Sequence, residues 1–224
     1  MPRDDLFIEP ASLLTPEGLR EAGLVHNPVT ALVVPRPIAW ISTVSAQGVV
    51  NLAPFSFSGM ASQSPPTVFF CPNASHAAGG DKDSLANVRD SGEFVFNLAT
   101  LDLCRAMNQS SDTVARDVDE FDLIGLEKAT CRLVKPPRVA AAPIALECRV
   151  LKIVDLSEGS GQRNTAVFGR VIGIHIDRSI IRDGVVDVMS THPVARLGYL
   201  DYATCGPAFQ MERPGATTTV PAGR

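Results

Sequence analysis

Residues 35–71 read PRPIAWISTVSAQGVVNLAPFSFSGMASQSPPTVFFC. The stretch holds the only tryptophan of the chain, Trp40, inside an apolar run at 38–43 with the character of a buried strand. Ser45-Ala46-Gln47-Gly48 forms a turn into a second strand around 49–53. The next segment, Pro54-Phe55-Ser56-Phe57-Ser58-Gly59-Met60-Ala61-Ser62, alternates aromatic and small hydroxyl residues. Successive strand side chains point to opposite faces, so this alternation packs one face and lines the other with serine. Such a face suits a flat, polar-edged ligand, and it equally suits an ordinary hairpin facing water. Residues 67–71 add a third strand, fenced by Pro65, Pro66 and Pro72. Short strands in close succession, joined by tight turns, predict antiparallel pairing rather than βαβ units.

The 224 residues fit one domain with a full core. A net charge of −4 leaves no basic footprint, so nucleic acid is not an expected partner. No apolar run reaches the length of a membrane span, and MPRDDLFIEP lacks the apolar core of a signal peptide. A cytoplasmic protein is expected, with its five cysteines (71, 104, 131, 148, 205) as reduced thiols. They form no CxxC pair, and the four histidines (26, 76, 175, 192) share no metal-binding spacing, so no metal site is expected.

Outside the opening stretch, Thr15 is placed to cap a short helix with Pro16 in its first turn. Asp81 is expected to cap another helix, with Leu85 and Val88 on its buried face and Gly92 at its end. Thr100 is expected to cap a third, in which Leu103, Cys104 and Met107 recur at helical spacing. Residues 110–125 are polar and acidic and read as a long surface excursion. Residues 93–98, 130–135, 144–156, 165–177 and 185–189 read as strands, the two long ones joined as a hairpin across 157–163. Seven to nine strands with two or three helices predict a β-barrel, because closure hides sheet edges. The tail beyond Arg213, rich in Thr, Pro, Gly and Ala, is expected to be disordered.

Several familiar motifs fail on inspection. Gly159-Ser160-Gly161 lacks a third glycine and lies between strands, and Gly80-Asp81-Lys82-Asp83-Ser84 has the wrong spacing for a phosphate loop. No serine stands in a nucleophile elbow. A constellation remains. Lys82 and Ser84 at a helix start bring together a cation, a hydroxyl and exposed amides, which suits a phosphate and equally a solvated helix end. Ser42, Thr43, Asn51, Ser56, Ser58 and Ser62 offer hydrogen bonds to a heteroaromatic edge, with Trp40 as an apolar wall. His192 and Arg196 follow the last strand, where the arginine is either a surface charge or a partner for an anionic ring.

In combination these residues resemble the flavin reductase-like family, whose fold is the FMN-binding split barrel. The matching pieces are PRPIAWIST (35–43), NLAPFS (51–56), KDS (82–84), GEFVFNL (92–98), DEF (119–121), PPRV (136–139), LEC (146–148) and ARLG (195–198). They run in the family's order across residues 25–213, leaving 1–24 as an N-terminal extension and 214–224 as the tail. The resemblance implies a mainly β, antiparallel Greek-key split β-barrel with a few peripheral helices. It also implies a homodimer with FMN in a groove at the subunit interface. By that likeness Trp40, Ile41, Ser42, Thr43, Asn51, Ala53, Pro54, Phe55, Ser56, Ser58 and Ser62 line the ring and ribityl chain. Lys82, Asp83 and Ser84 take the phosphate, and His192 and Arg196 complete the set. The family more often has threonine at the place of Ser84, and a second glycine where this chain has Tyr199.

The implied activity is hydride transfer from NAD(P)H to flavin. A flavin carries its own chemistry, so the absence of a triad or metal motif is compatible with catalysis. Two alternatives stay open: a flavoprotein serving an oxygenase partner or its own organic substrate, and a non-catalytic flavin-binding module.

Overall fold

Prolines and glycines cut the chain into short segments, and strand ends fall beside them. The computed structural model describes residues 4–157, 163–211 and 214–215, so the expected disorder of the tail and the tip of the 157–163 turn lie largely outside the described residues. A 3-10 turn at Pro10–Leu14 leads into α1 (Pro16–Glu21), where Thr15 Oγ1 accepts the Gly18 amide as the capping pattern requires. Then come α2 (Val29–Leu32), β1 (Arg36–Pro37), β2 (Ala39–Val44), β3 (Val50–Phe55), β4 (Ser58–Gln63) and β5 (Pro66–Phe70). Helix α3 (Asp83–Ser91) ends on Gly92, whose φ of 69° is the left-handed conformation glycine adopts most cheaply. It is followed by β6 (Glu93–Leu98), α4 (Cys104–Gln109), α5 (Glu120–Leu123), β7 (Lys128–Ala129) and β8 (Arg138–Val139). The long hairpin β9 (Ile144–Asp155) and β10 (Thr165–Ile176) precedes β11 (Ile181–Arg182), β12 (Val185–Val186), β13 (Val194–Arg196) and β14 (Tyr202–Thr204).

Seven strands form one sheet in the order β3-β2-β6-β9-β10-β5-β4, with every neighbouring pair antiparallel. Its two edges, β3 and β4, are joined in the chain by only Ser56 and Phe57. A sheet whose edges are two residues apart must curl back on itself. The result is a barrel split along the β3–β4 seam. Ser58 spans the opening, donating to the Pro37 carbonyl at 2.8 Å and accepting the Ala39 amide at 3.2 Å. Curvature elsewhere comes from register breaks in β10, at Phe168/Gly169 and Val171/Gly173. A smaller sheet, β1-β13-β14, sits beside the barrel.

The alternation of β2 explains why its sequence is apolar throughout. Ala39 and Ile41 point into the barrel with Phe55, Phe70, Phe94 and Val167, while Trp40 points outward into a second core with Leu52, Met107, Phe121 and Val139. Each fully buried Phe or Ile stabilises the fold by about 1.5–3 kcal/mol. Helices α4 and α5 exist to cover this second core. No helix among the described residues is long and apolar enough to cross a membrane.

Several local expectations need correction. Residues 130–135 form bends between β7 and β8 instead of a strand, and of 185–189 only Val185–Val186 is strand, a 3-10 helix following at Val188–Thr191. Lys82, not Asp81, is the N-cap of α3, and no side chain caps it; the Asp81 carboxylate instead pairs with Arg89 at 2.9 Å and Arg163 at 2.7 Å. Helix α4 starts at Cys104 after Leu103, while Thr100 is buried in a bridge to Pro193. Residues 110–125 are largely at the surface, as expected, but the segment is anchored inward at both ends of its polar run. They include α5, and Ser110, Glu120 and Phe121 are all buried. Their polar composition hides these anchors because the buried polar groups are satisfied internally.

Candidate functional site

The amino end of α3, the edge strand β3 and residues 110–114 converge on a cavity of about 150 Å³. Its lining combines Asn51, Ala53, Pro54 and Phe55 from β3 with Lys82, Asp83 and Ser84 from α3. Ser75, His76, Ser110, Ser111, Asp112, Thr113, Val114 and Glu120 complete it.

A buried polar network forms the floor. Ser84 Oγ donates to Asn51 Oδ1 at 2.6 Å, and Asn51 Nδ2 donates to Glu120 Oε1 at 2.7 Å. The Leu52 amide donates to Glu120 Oε2 at 2.9 Å. Thr43 lies behind Asn51 and accepts from Asn87 Nδ2 at 3.0 Å. This network makes β3 and α3 one rigid wall, since each buried polar atom left unmatched costs about 1–3 kcal/mol. Burial pushes the Glu120 carboxyl above its usual range, and the hydrogen bonds from Leu52 and Asn51 only partly oppose that.

The rim has a different electrostatic character. Asp83 is paired with Arg116, which also donates to the carbonyls of Gly79 and Asp81 at 2.9 Å each. His76 Nε2 lies 3.5 Å from Asp83 Oδ2 and 3.2 Å from the Val114 carbonyl. The loop at 76–83 is thereby strapped to residues 114–116. Lys82 has no carboxylate partner among the described residues, and it stands at the uncapped end of the helix. A free ammonium beside unused first-turn amides is a place for an anion.

The residues singled out by sequence fall into four groups. Asn51, Ala53, Pro54, Phe55, Lys82, Asp83 and Ser84 line the cavity together. Trp40, Ile41, Ser42 and Thr43 are fully buried: the Trp40 indole donates to Ser110 Oγ at 2.8 Å, and Ser42 donates to the Pro137 carbonyl at 2.5 Å. Ser56 and Ser62 are half-buried along the seam with Ser58, whose hydroxyl is already committed there. His192 and Arg196 do not line this cavity. His192 is exposed after a 3-10 turn, and Arg196 stacks on Tyr202 with 4.5 Å between guanidinium and ring centroid.

Sequence reading missed His76, Glu120 and the 110–114 hydroxyls as lining residues. Only the DEF piece at 119–121 carried a signal for them.

With this geometry in view, comparison with known proteins gives a consistent answer. The family described as "Flavin reductase like domain" matches residues 31–191. The chain belongs to the flavin reductase-like family. Membership places it among the flavin-related oxidoreductases. A protein of Deinococcus radiodurans described as uncharacterised is 37% identical over 177 residues, covering 76% of this chain and 75% of the relative. Among solved structures, component B of nitrilotriacetate monooxygenase from Bacillus cereus superposes with a TM-score of 0.82 at 24% identity, covering 94% of this chain and all of that one. The 2-nitrobenzoate 2-nitroreductase of Pseudomonas fluorescens superposes with a TM-score of 0.72 at 26% identity, covering 87% and 92%.

Proposed function

We propose that this flavin reductase-like protein binds FMN and uses it to accept hydride from NAD(P)H. The observation that carries the reading is Lys82, a cation without a carboxylate partner among the described residues, at the uncapped start of α3 within the cavity. FMN ends in a phosphate, and an ammonium with two free helix amides matches that group. Ser84 takes part through its backbone amide and by holding Asn51, since its hydroxyl is already donated inward. Bound FMN supplies the hydride acceptor itself. Around it, the β3–β4 seam from Asn51 to Ser62 presents backbone amides and the half-buried Ser56 and Ser62, with Ala53, Pro54 and Phe55 as the apolar side. Trp40, Ile41, Ser42 and Thr43 act from behind, by fixing the strand that carries these groups.

A cavity of about 150 Å³ is small for a ligand of this size, because pockets for drug-sized molecules span about 300–1,000 Å³. A second copy of the chain therefore completes the site, and the active unit is a homodimer. His192 and Arg196, which do not line the cavity of their own subunit, reach the ligand from the partner. The catalytic unit spans residues 25–213, with 1–24 an extension and 214–224 a tail, and the protein works in the cytoplasm with reduced thiols.

The test is anaerobic titration of the purified protein with FMN, followed by NADH or NADPH. Binding with bleaching of the flavin absorbance is expected. Failure of FMN to bind at all overturns the proposal. A second reading has support in the likeness to a monooxygenase component: reduced flavin, or its electrons, pass to an oxygenase partner. Release of reduced FMN during turnover favours that reading, and retention of flavin through many turnovers favours a substrate of the protein's own.

A further inference from the structure

Away from the flavin groove, three potential metal ligands that the sequence scatters are brought together by the β9–β10 hairpin. Glu147 is paired in register with Gly173, and His175 with Ala145, so Glu147 and His175 are diagonal neighbours on one face. Cys131 arrives from the segment after β7. Cys131 Sγ, a Glu147 carboxylate oxygen and a His175 ring nitrogen all lie within 4.8 Å of one another.

Glu147 is almost completely enclosed, 1% exposed, and rigidly held. Its oxygens accept the amides of Arg132 at 2.9 Å, Leu133 at 2.6 Å and Val134 at 3.1 Å. The remaining acceptor direction of Oε1 meets His175 Nε2 at 2.6 Å. A carboxylate offers about four lone-pair sites, and three are taken by backbone that cannot leave. Only the contact to His175 is exchangeable. His175 and Glu147 also border an open cavity of about 720 Å³, walled by Ala140, Ala141 and Ala142 and rimmed by Arg132, Arg138 and Arg178.

We propose that Cys131, Glu147 and His175 form a site for a divalent transition metal of the zinc class, with its fourth position open to this cavity. The metal replaces the proton shared between His175 and Glu147. Cys131 gives up its thiol proton to solvent, and the neutral His175 ring carries its single proton on Nδ1 instead of Nε2, which frees Nε2 for the metal. The ligand charges, −1 from the thiolate and −1 from the carboxylate, balance the cation. One thiolate, one imidazole and one carboxylate suit zinc, and three protein ligands with an open position are the pattern of a site that takes water or a further ligand. Zinc bonds of 2.0–2.1 Å to nitrogen and oxygen hold those atoms about 3.3 Å apart in a tetrahedral site, so His175 must withdraw slightly as the metal enters. Its side chain is 22% exposed at the cavity edge and has room to do so. Linear spacing could not reveal the set, because its members come from three separate segments. The inference is independent of the flavin reading.

The test uses the full chain, stripped with a chelator and titrated anaerobically with Co²⁺. A thiolate-to-cobalt charge-transfer band in the near ultraviolet, saturating at one metal per chain, is expected. Cys131→Ser should abolish that band, His175→Asn should weaken binding, and Cys205→Ser, at an exposed cysteine, should change neither. In the unmutated protein Zn²⁺ should also shield Cys131 from alkylation, read by peptide mapping, which avoids any question of a variant's folding. A band that survives Cys131→Ser, binding lost with Cys205→Ser, or a Cys131 that alkylates equally fast with and without Zn²⁺ overturns the proposal.

Discussion

Ser84 Oγ lies 2.6 Å from Asn51 Oδ1, so the first turn of α3 is fastened to the edge strand that borders the groove. Both residues are buried, and Thr43 Oγ1, at 3.4 Å, is the other neighbour of that acceptor. Ser84→Ala removes the strong donor. A loss of about 1–3 kcal/mol in unfolding free energy is expected, because the buried Asn51 Oδ1 keeps only the long contact to Thr43. Urea denaturation checks it, and a stability within experimental scatter of the parent would show that the network is slack.

Lys82 offers a sharper test of the ligand. If its ammonium meets the phosphate, Lys82→Ala weakens FMN by about 1.5–3 kcal/mol, the range of hydrogen bonds to charged groups. Riboflavin lacks the phosphate and should bind both proteins alike. Fluorescence titration with the two flavins separates the cases, and equal losses for both would place the phosphate elsewhere.

Glu120 makes stability depend on pH. Its folded-state carboxyl titrates above the unfolded one because it is buried, so between those two values the folded protein holds more protons. Stability contributed by this group is therefore greatest below the ordinary carboxylate range and declines as pH rises through the elevated folded value. Glu120→Gln cannot titrate. The stability difference, parent minus variant, should fall as pH increases from acid toward neutral, measured by denaturant unfolding at a series of pH values. A difference that rises over the same interval would mean that the hydrogen bonds from Asn51 and Leu52 outweigh burial.

Gly169 shows how tightly the barrel is filled. A Cβ at this position would stand 2.3 Å from Phe94 Cζ, far inside contact distance. Phe94 is fully buried and has no free volume to retreat into. Gly169→Ala should cost about 1–3 kcal/mol, typical of overpacking, and Phe94→Leu in the same chain should recover part of it. Thermal melts of the single and double variants decide this.

Much of the architecture could be read in advance, because strands in this chain are bounded by proline and glycine and because residues 35–71 hold a run of strands separated only by short turns. The run at 38–43 is apolar on both faces for a reason visible only in three dimensions: Ile41 serves the barrel and Trp40 the outer core. The site was half legible. Asn51 and Lys82 stood out by residue type, and both line the cavity. Ser58 stood out equally and proved to close the seam, since a hydroxyl in a sequence does not disclose its acceptor. Glu120 was hidden in an acidic stretch whose burial depends on β3 packing over it. Polar residues that satisfy one another inside a fold look like surface until their partners are known.

The split between β3 and β4 also bears on the order of events during synthesis. β5 pairs on one side with β4, its immediate predecessor, but on the other only with β10, where Val68 meets Gly169 about 100 residues later. At a synthesis rate of about 5–20 residues per second, the open side of β5 waits about 5–20 s for its partner. During that interval Val68 and Phe70, both destined for the interior, have no barrel to enter. We expect ribosome-stalled chains ending near residue 140 to be cut readily by protease between β5 and α3, and chains stalled well beyond β10 to resist. For this protein the ribosome, rather than the folded barrel, is where the β4–β5 hairpin is most exposed to aggregation.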